Sequence, residues 1–280
     1  MNTRQAPLIV LNYHAVEARE GEYPFAPEER VYVLPLDIFA RQLDEIVRAG
    51  MKTLTLEDMS RWLRGEPDTG QPLVLTFDDG HLSHLEHVAG ELKKRGLQAV
   101  FFVAAGLIGQ EGFMDWKQLK ELAGGGFEIG SHGFYHIPLT GLSDRELVRE
   151  IEESKHILQE WLGTEVRSFS VPRGFYHPRI RKIVHKAGYR FLFTSRFDVN
   201  PQAAVVGHPA EGARDERQLP IFNRLAVKRD TSMEEFGRFL TGNLGARKYR
   251  EYLKSLARQV LPSRFYDMIA SLKNRPKTQL

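Results

Sequence analysis

Short apolar runs rich in β-branched and aromatic residues recur along the chain, and longer segments with helical periodicity separate them. In residues 35–50, for example, Phe39, Leu43, Ile46 and Val47 recur at intervals of one, three and four, as on one face of a helix. Strands that alternate with helices predict an α/β fold with a parallel sheet and crossover helices. This pattern alone does not separate an open, doubly wound sheet from a closed barrel.

The bounds of the elements follow from the same periodicities and from the turn residues between them. Ser143 and Glu146 form a capping-box pattern at the start of one helix, and the polar segment 200–218 predicts a loop. The predicted strands are residues 8–14, 52–56, 73–77, 99–103, 168–171, 191–195 and 223–227. The predicted helices are residues 35–50, 57–64, 83–95, 116–122, 143–161, 177–187 and 232–240.

The composition is that of an ordinary globular protein. With 280 residues and 42% hydrophobic content, the chain is long enough for one large α/β domain. The absence of cysteine excludes disulfides, thiolate metal ligands and cysteine nucleophiles. The first residues lack the apolar segment of a signal peptide, and no run approaches the ~18 apolar residues of a membrane span. We therefore expect a cytoplasmic location.

Charge is distributed unevenly, because residues 247–280 contain nine Lys and Arg residues and two acidic ones. This gives the tail a net charge of +7 and the first 246 residues a net charge of −4. We therefore divide the chain into a catalytic domain, residues 1–245, and a basic amphipathic helical tail, residues 246–280. The tail either packs on the domain with a solvated basic face or lies on a membrane surface, and its charge favours an anionic partner.

Two adjacent carboxylates, Asp78 and Asp79, end an apolar strand in the sequence LVLTFDDG of residues 73–80. The backbone curls where a strand ends, so both carboxylates can face one cavity. His132 and His136 lie four residues apart, which places two imidazoles on one face of a turn or short helix. One carboxylate and two imidazoles make a metal site with open positions. The pattern predicts a metal-dependent hydrolase with the remaining carboxylate as the base.

Each of these motifs also has a purely structural interpretation. Asp-Asp-Gly is common in turns and at helix N-termini, and a pair of histidines can be ordinary loop residues. Their occurrence together favours the metal site. His81, His84 and His87 form a second cluster at helical spacing, which we interpret as a helix face behind the site, with His81 near the rim, rather than as a second metal site.

The motifs resemble those of the polysaccharide deacetylase family, also called the NodB-homology or carbohydrate esterase 4 group. The resemblance rests on TFDDG at residues 76–80, SHGFYH at residues 131–136 and FSVPRG at residues 169–174. It covers about residues 8–240. It implies a distorted (β/α) barrel, usually of seven strands, in a single domain.

The resemblance also implies the role of each residue. Asp79, His132 and His136 would bind one divalent metal ion, most simply Zn²⁺, although Co²⁺, Ni²⁺ or Fe²⁺ would suit the same ligands. Asp78 would be the general base that takes a proton from the attacking water. A backbone N–H near Arg173 would help to stabilise the oxyanion formed at the N-acetyl carbonyl. The products would be acetate and a free amino sugar.

His14 ends the first predicted strand in the sequence LNYH, which resembles a subgroup that includes the poly-N-acetylglucosamine deacetylases. In that subgroup a histidine of the first strand replaces the acidic histidine of the last motif. The last predicted strand here, residues 223–227, contains no histidine, so the resemblance implies that His14 protonates the leaving amine. The alternative is a histidine that only caps the end of its strand.

The third motif departs from the family pattern at two positions. A common arginine two residues before the proline is Ser170 here, and the usual aromatic residue after the proline is Arg173. We place Pro172, Arg173, Gly174 and Arg224 among the substrate-binding residues. The two arginines could instead brace the catalytic aspartate or form surface salt bridges.

The leading interpretation is a deacetylase that acts on an N-acetylated amino sugar in a polysaccharide, a glycolipid or a sugar precursor. One alternative keeps the chemistry and replaces the sugar by another amide. A second alternative is a non-catalytic glycan-binding or assembly protein, and the complete Asp-Asp-His-His set argues against it. Nothing in the sequence indicates a nucleic-acid partner.

Overall fold

The computed structural model describes residues 6–66, 70–206, 219–249 and 251. Strands and helices alternate along most of the described chain. The strands are β1 Ile9–Tyr13, β2 Ala15–Glu17, β3 Val33–Pro35, β4 Lys52–Thr53, β5 Pro72–Phe77, β6 Val100–Val103, β7 Glu128–Ser131, β8 Ser168–Ser170, β9 Phe191–Phe193, β10 Ile221–Phe222 and β11 Leu225–Ala226. The α-helices are α1 Leu36–Arg48, α2 Leu56–Leu63, α3 Ala89–Lys94, α4 Trp116–Gly124, α5 Asp144–Leu162, α6 Pro178–Lys186, α7 Gln202–Val206 and α8 Met233–Leu240.

Nine of the described strands form one sheet in the order β10-β9-β8-β7-β6-β5-β1-β11, with β4 paired to the start of β5, and their ladder pairings are parallel. The two edge strands, β10 and β11, are separated in the sequence only by Asn223 and Arg224. Since so short a link spans at most about 11 Å, the sheet must curl until its edges approach each other. The result is a half-barrel surrounded by helices, which confirms the distorted (β/α)7-type barrel.

The buried Asn200 ties the start of β1 to the link between the two edge strands, β10 and β11. Its backbone exchanges two hydrogen bonds with Leu8, just before β1, at 2.9 and 3.0 Å. Its side-chain amide donates to the carbonyl of Asn223 at 3.0 Å and accepts the N–H of Asn223 at 2.7 Å. These bonds satisfy backbone groups that an open sheet edge would leave unpaired.

Both faces of the sheet are buried, which explains why its strands are almost continuously apolar. Along β1, Ile9 and Leu11 pack in the larger core cluster with helices α1, α3 and α4, while Leu8 and Val10 belong to the second cluster with α2. The same alternation in β5 separates Leu73, Leu75 and Phe77 from Val74. Asn12 on β1 and Thr76 on β5 face the same side of the sheet as Val10 and Val74, and both are polar. Polar groups are thereby delivered to one end of the barrel.

Two predictions of local structure were wrong in part. Segment 200–218 was predicted as a loop, but Gln202–Val206 forms α7, because the Gln202 side chain donates to the carbonyl of Trp62 at 2.7 Å and Val205 packs in the core. The segment predicted as a helix from residue 83 has π-type geometry at His84–Val88 before α3 begins, and His81 precedes both. Among the described residues no helix is long and apolar enough to cross a membrane. Most of the predicted tail, residues 246–280, lies outside the described residues.

Candidate active site

A cavity of about 570 Å³ is lined by residues that follow the carboxyl ends of the sheet strands. In a parallel barrel this is the end where loops from several strands converge, and it is where active sites form. Its lining includes the residues predicted to be catalytic or metal-binding: His14, Asp78, Asp79, His132 and His136. Arg173 and Arg224 line the same cavity.

Asp79, His132 and His136 converge on one point of this cavity. The Nε2 atoms of His136 and His132 lie 3.1 and 3.4 Å from Oδ1 of Asp79, and the three ligand atoms all lie within 4.8 Å of one another. The Nδ1 of His132 lies 2.9 Å from the carbonyl oxygen of Ser170, so Nδ1 must carry the proton and donate. This leaves the Nε2 lone pair of His132 directed to the shared point, as a metal ligand requires.

The three side chains fit a divalent cation. Oδ1 of Asp79 is buried and receives no hydrogen bond of good geometry, although two imidazole nitrogens lie near it. A buried carboxylate oxygen without a partner is costly, and a cation would remove that cost. Burial lowers the pKa of His132 to about 4, so this imidazole is neutral and able to ligate at pH 7. Two nitrogen ligands and one oxygen ligand suit Zn²⁺ and its first-row neighbours.

Strained backbone is concentrated around this cavity. Within the described ranges, the non-glycine residues with positive φ are Asp79 at 81°, His136 at 54° and Arg173 at 55°, and all three line it. Such conformations cost of order 1–3 kcal/mol each and persist only where the surrounding structure imposes them. Gly80 continues the turn with a φ of 82°, which explains the glycine of the Asp-Asp-Gly motif.

Asp78 lies beside the three converging groups and is held by a different set of contacts. Its two carboxylate oxygens accept from Nη1 and Nη2 of Arg224 at 2.7 and 2.8 Å, and Oδ2 also accepts from Asn12 at 3.2 Å. Burial raises the pKa of Asp78, but the Arg224 guanidinium and the neighbouring His132 lower it by more, to about 2. The carboxylate is therefore ionised throughout the physiological range.

Arg224 is only 1% exposed, and its guanidinium is fully engaged inside the protein. Besides Asp78, it donates to the hydroxyl of Ser170 at 2.8 Å, to the side chain of Asn12 at 3.2 Å and to the carbonyl of Thr194 at 3.1 Å. Of the roles considered for Arg224, this geometry favours a brace of the Asp78 carboxylate over direct contact with a substrate. The small Ser170, where the family pattern has arginine, contacts Arg224 within this network.

Sequence reasoning missed Asn12 and Ser170 as members of the site. Asn12 contacts Asp78, and Ser170 contacts Asp78 and Arg224 through its hydroxyl and His132 through its carbonyl. A signal was present for Asn12, because strand alternation continues from Leu8 and Val10 to that position. For Ser170 the signal was its departure from the family pattern, which has arginine at this position.

His14 follows β1 and lies against Tyr32, with ring centroids 4.5 Å apart. Its Nδ1 is buried without a hydrogen-bond partner, and its backbone carbonyl accepts from Nε2 of the fully buried His84 at 2.6 Å. Burial lowers the pKa of His14, and the charges of Asp79 and Asp78 oppose this effect only in part. The ring therefore holds a proton weakly.

The third motif forms a short 3₁₀ turn, Pro172–Gly174, directly after β8. Pro172 is buried, and Arg173 lines the cavity close enough to His136 for its charge to oppose protonation of that ring. Gly174 completes the turn with a φ of 71°. Substrate contact by these three residues stays a prediction.

Glu150 of α5 supports the loop that joins the two histidines. Its carboxylate is 4% exposed, and Oε2 accepts the backbone N–H groups of Phe134 at 2.9 Å and Tyr135 at 3.1 Å. Both amides lie between His132 and His136, so this one oxygen fixes the course of the backbone between two ligands. The arrangement makes Glu150 a positioning residue for the metal site.

Replacing Glu150 with alanine is expected to lower the metal affinity by about 10- to 100-fold, because the two amides lose their acceptor and the loop loosens. A competition titration of the metal-free protein against a chelating dye would measure the change. Glu150→Gln keeps a carbonyl oxygen as an acceptor, so its metal affinity should lie between those of the wild type and Glu150→Ala. Glu152→Ala, at an exposed position of the same helix, is the matched control. Equal affinity in all four proteins would contradict the positioning role.

Comparison with known proteins gives consistent matches. A profile of the polysaccharide deacetylase family matches residues 65–192. YxkH of Bacillus subtilis, named as a presumptive polysaccharide deacetylase, is 26% identical over 238 residues, which cover 85% of this chain and 77% of that protein. A peptidoglycan-N-acetylglucosamine deacetylase of Bacillus cereus is 26% identical over 155 residues, 53% of this chain and 70% of the relative. The solved structure of IcaB from Ammonifex degensii has a TM-score of 0.68 and 26% identity, and covers 86% of this chain and 99% of its own.

These matches agree with the curled parallel sheet and with the motifs at its carboxyl end. The profile includes β5 with the Asp78 and Asp79 that follow it, His132 and His136, and the turn of the third motif. The alignment with YxkH extends the similarity over most of the chain. In its fold and over residues 65–192, the chain is similar to the polysaccharide deacetylase family.

Proposed function

We propose that this protein is a metal-dependent hydrolase that removes N-acetyl groups from an amino sugar in a polysaccharide, a glycolipid or a sugar precursor. The observation that carries the proposal is the convergence of Asp79, His132 and His136 on one point beside the braced carboxylate of Asp78. The relative that acts on peptidoglycan N-acetylglucosamine supports an N-acetylated hexosamine as the substrate class.

Asp79, His132 and His136 would hold one divalent ion, with Zn²⁺ the simplest choice and Co²⁺, Ni²⁺ or Fe²⁺ compatible with the same ligands. When bound there, the cation would lower the pKa of a water molecule and polarise the amide carbonyl. Asp78 takes the proton of the attacking water. Its low pKa keeps it ionised, and the Arg224 fork fixes the plane of its carboxylate so that one orientation faces the cavity.

Two further groups of this chain would complete the reaction. A backbone N–H of the strained turn at Arg173 is the candidate donor to the oxyanion that forms on the acyl carbon. His14 delivers a proton to the leaving amine. Because burial lowers the pKa of His14, its imidazolium is less populated at neutral pH than one in water but is a stronger acid once it has formed.

Chelation of the metal is expected to reduce acetate release from N-acetylglucosamine oligomers by about 100-fold or more, and one equivalent of Zn²⁺ or Co²⁺ should restore it. An enzymatic assay for acetate after dialysis against a chelator would measure both steps. His132→Ala is the matched control, since added metal should not restore activity when a ligand is absent. Full activity after exhaustive chelation would show the proposal to be wrong.

The same assay for acetate release distinguishes the two alternative functions. A hydrolase of non-sugar amides would release acetate from simple acetamides but not from the oligomers. A glycan-binding protein would bind the oligomers and release nothing. The cytoplasmic location and the contact of the basic tail with a membrane stay predictions, and co-sedimentation with liposomes, with and without residues 246–280, would test the second.

A further inference from the structure

His81 has a single defined tautomer. The N–H of Ser83 donates to Nδ1 of His81 at 3.1 Å, and the hydroxyl of Ser83 lies 2.8 Å from the same atom. That hydroxyl accepts the N–H of Val16 at 3.1 Å, so its own proton is free to point at Nδ1. Nδ1 is therefore an acceptor without a proton, and Nε2 must carry the N–H of the ring.

This Nε2–H has no hydrogen-bond partner among the described residues, although His81 is only 4% exposed and lines the cavity. A Cβ atom built on Gly112 would lie 3.7 Å from Nε2, so this donor lies beside Gly112, which also lines the cavity. Buried donors are nearly always paired in folded proteins. A donor that instead faces a cavity is available to a ligand oxygen.

Aromatic rings surround this donor. Phe25 lies over the imidazole with ring centroids 4.6 Å apart, Phe113 lies 6.0 Å away, and both are half-buried and line the cavity. Tyr23 packs edge-on against His81, with ring centroids 4.7 Å apart. We call Phe25, His81 and Phe113 the aromatic wall. An apolar surface with one directed donor is the usual composition of a site for a small polar ligand.

The aromatic wall is rigidly anchored. The loop that carries Phe25 is held at its base by Glu17, which is 2% exposed and pairs with Arg30 at 3.0 Å and Arg229 at 2.9 Å. The hydroxyl of Tyr23 donates to Glu86 at 2.5 Å. A site whose walls are already in place loses little entropy when a ligand binds.

The segment that carries Phe113 is tied to the strand turn of the active site. The N–H of Leu82 donates to the carbonyl of Gly112 at 2.9 Å, and the N–H of Met114 donates to the carbonyl of Gly80 at 3.1 Å. The wall is thus built onto the residues that directly follow Asp79. Two residues of chain span at most about 7 Å, so the donor of His81 belongs to the immediate surroundings of the metal-binding groups.

We propose that the aromatic wall is a binding subsite for a sugar ring that neighbours, in the same glycan chain, the residue undergoing deacetylation. The proposal rests on the function proposed above and specifies its substrate as a chain of at least two sugars. A pyranose presents an apolar C–H face that packs on Phe25 or Phe113. Its hydroxyl or acetamido carbonyl oxygen accepts the Nε2–H of His81.

His81→Asn and His81→Gln separate the acceptor function of Nδ1 from the donor function of Nε2. Asparagine places an oxygen where Nδ1 accepts from Ser83 but has no group at Nε2, while glutamine can extend an N–H towards that position. The quantity to compare is kcat/KM for the N-acetylglucosamine tetramer divided by kcat/KM for the monomer. We expect His81→Asn to lower this ratio by about tenfold, mainly through a higher KM for the tetramer. His81→Gln should recover part of the loss. Phe25→Ala, on the half-buried loop, should lower the same ratio and provides a second variant if His81→Asn fails to fold.

Glu152→Ala is the control, since it changes an exposed side chain of α5 and should leave the ratio as in the wild type. Calorimetric titration of the tetramer into Asp78→Asn, with and without His81→Asn, would measure binding without turnover, with a tenfold higher Kd expected for the double variant. An unchanged ratio and an unchanged Kd would overturn the subsite. A wild-type protein that releases no acetate from any N-acetylated sugar would overturn the proposed function instead, and the titration would still decide on the subsite.

Discussion

Replacing Asp78 with asparagine is expected to lower kcat for acetate release by about 100- to 10,000-fold, the usual contribution of a positioned general base. The amide cannot accept the proton of water, whereas the ionised carboxylate, with its pKa of about 2, can do so at any physiological pH. Because Asp78 lies beside the converging ligands and not among them, the variant should keep its metal. Steady-state kinetics and metal analysis of the same preparation would measure both properties.

Asp79→Asn is the matched control, because it changes the adjacent carboxylate in the same way. Its Oδ1 is the atom on which the two imidazoles converge, so this variant should lose metal and activity together. Loss of metal from Asp78→Asn and its retention in Asp79→Asn would mean that the roles of the two aspartates are exchanged. Retention of both metal and turnover in Asp78→Asn would remove Asp78 from the mechanism.

The convergence of three candidate metal ligands could be predicted from the sequence because each lies in a short motif. Asp79 follows an apolar strand, and His132 and His136 are four residues apart, so local spacing already limits their geometry. The parallel sheet was predictable for a similar reason, since its strands and helices alternate with clear periodicities. In both cases the information lies within a few residues of chain.

The Arg224–Asp78 pair was one of several alternatives for Arg224 in the sequence, and local spacing could not select it. The two residues are 146 positions apart, and they meet only because the curled sheet brings the link between β10 and β11 next to β1 and β5. The position of His81 depends on geometry of another kind. Its spacing to His84 and His87 predicted a helix face with His81 near the rim of the site, and His81 does line the cavity, directly after the left-handed turn at Asp79 and Gly80.

Replacing Arg224 with methionine is expected to destabilise the protein by about 3–5 kcal/mol at pH 7, because it leaves the 2% exposed carboxylate of Asp78 charged and without its partner. Urea unfolding would measure the loss. Arg149→Met is the control, since the partner of Arg149, Glu153, is about half exposed and such surface pairs contribute less than about 1 kcal/mol. Equal effects of the two substitutions would show that Asp78 does not depend on Arg224.

The loss of stability in Arg224→Met should depend on pH. In the wild type the folded-state pKa of Asp78, about 2, lies below its ordinary value of 3.8, so the pair stabilises the fold above pH 3.8, and this contribution disappears as the pH falls towards 2. Without Arg224, burial is the main remaining influence and raises the pKa of Asp78, so the variant recovers stability as acid neutralises the carboxylate. The difference in unfolding free energy between wild type and variant should therefore narrow as the pH is lowered from 7.

The double variant Asp78→Asn/Arg224→Met separates the cost of an unpaired charge from the value of the pair. With both charges removed, no buried ion is left without a partner, so the double variant should be more stable than Arg224→Met alone although it carries one more substitution. That gain would identify the buried, unpaired charge of Asp78, and not lost packing of the arginine side chain, as the source of the instability. If the double variant is less stable than Arg224→Met, packing of the Arg224 side chain dominates. The guanidinium would then be retained for the volume it fills between Asn12, Thr194 and Ser170 and not for its charge.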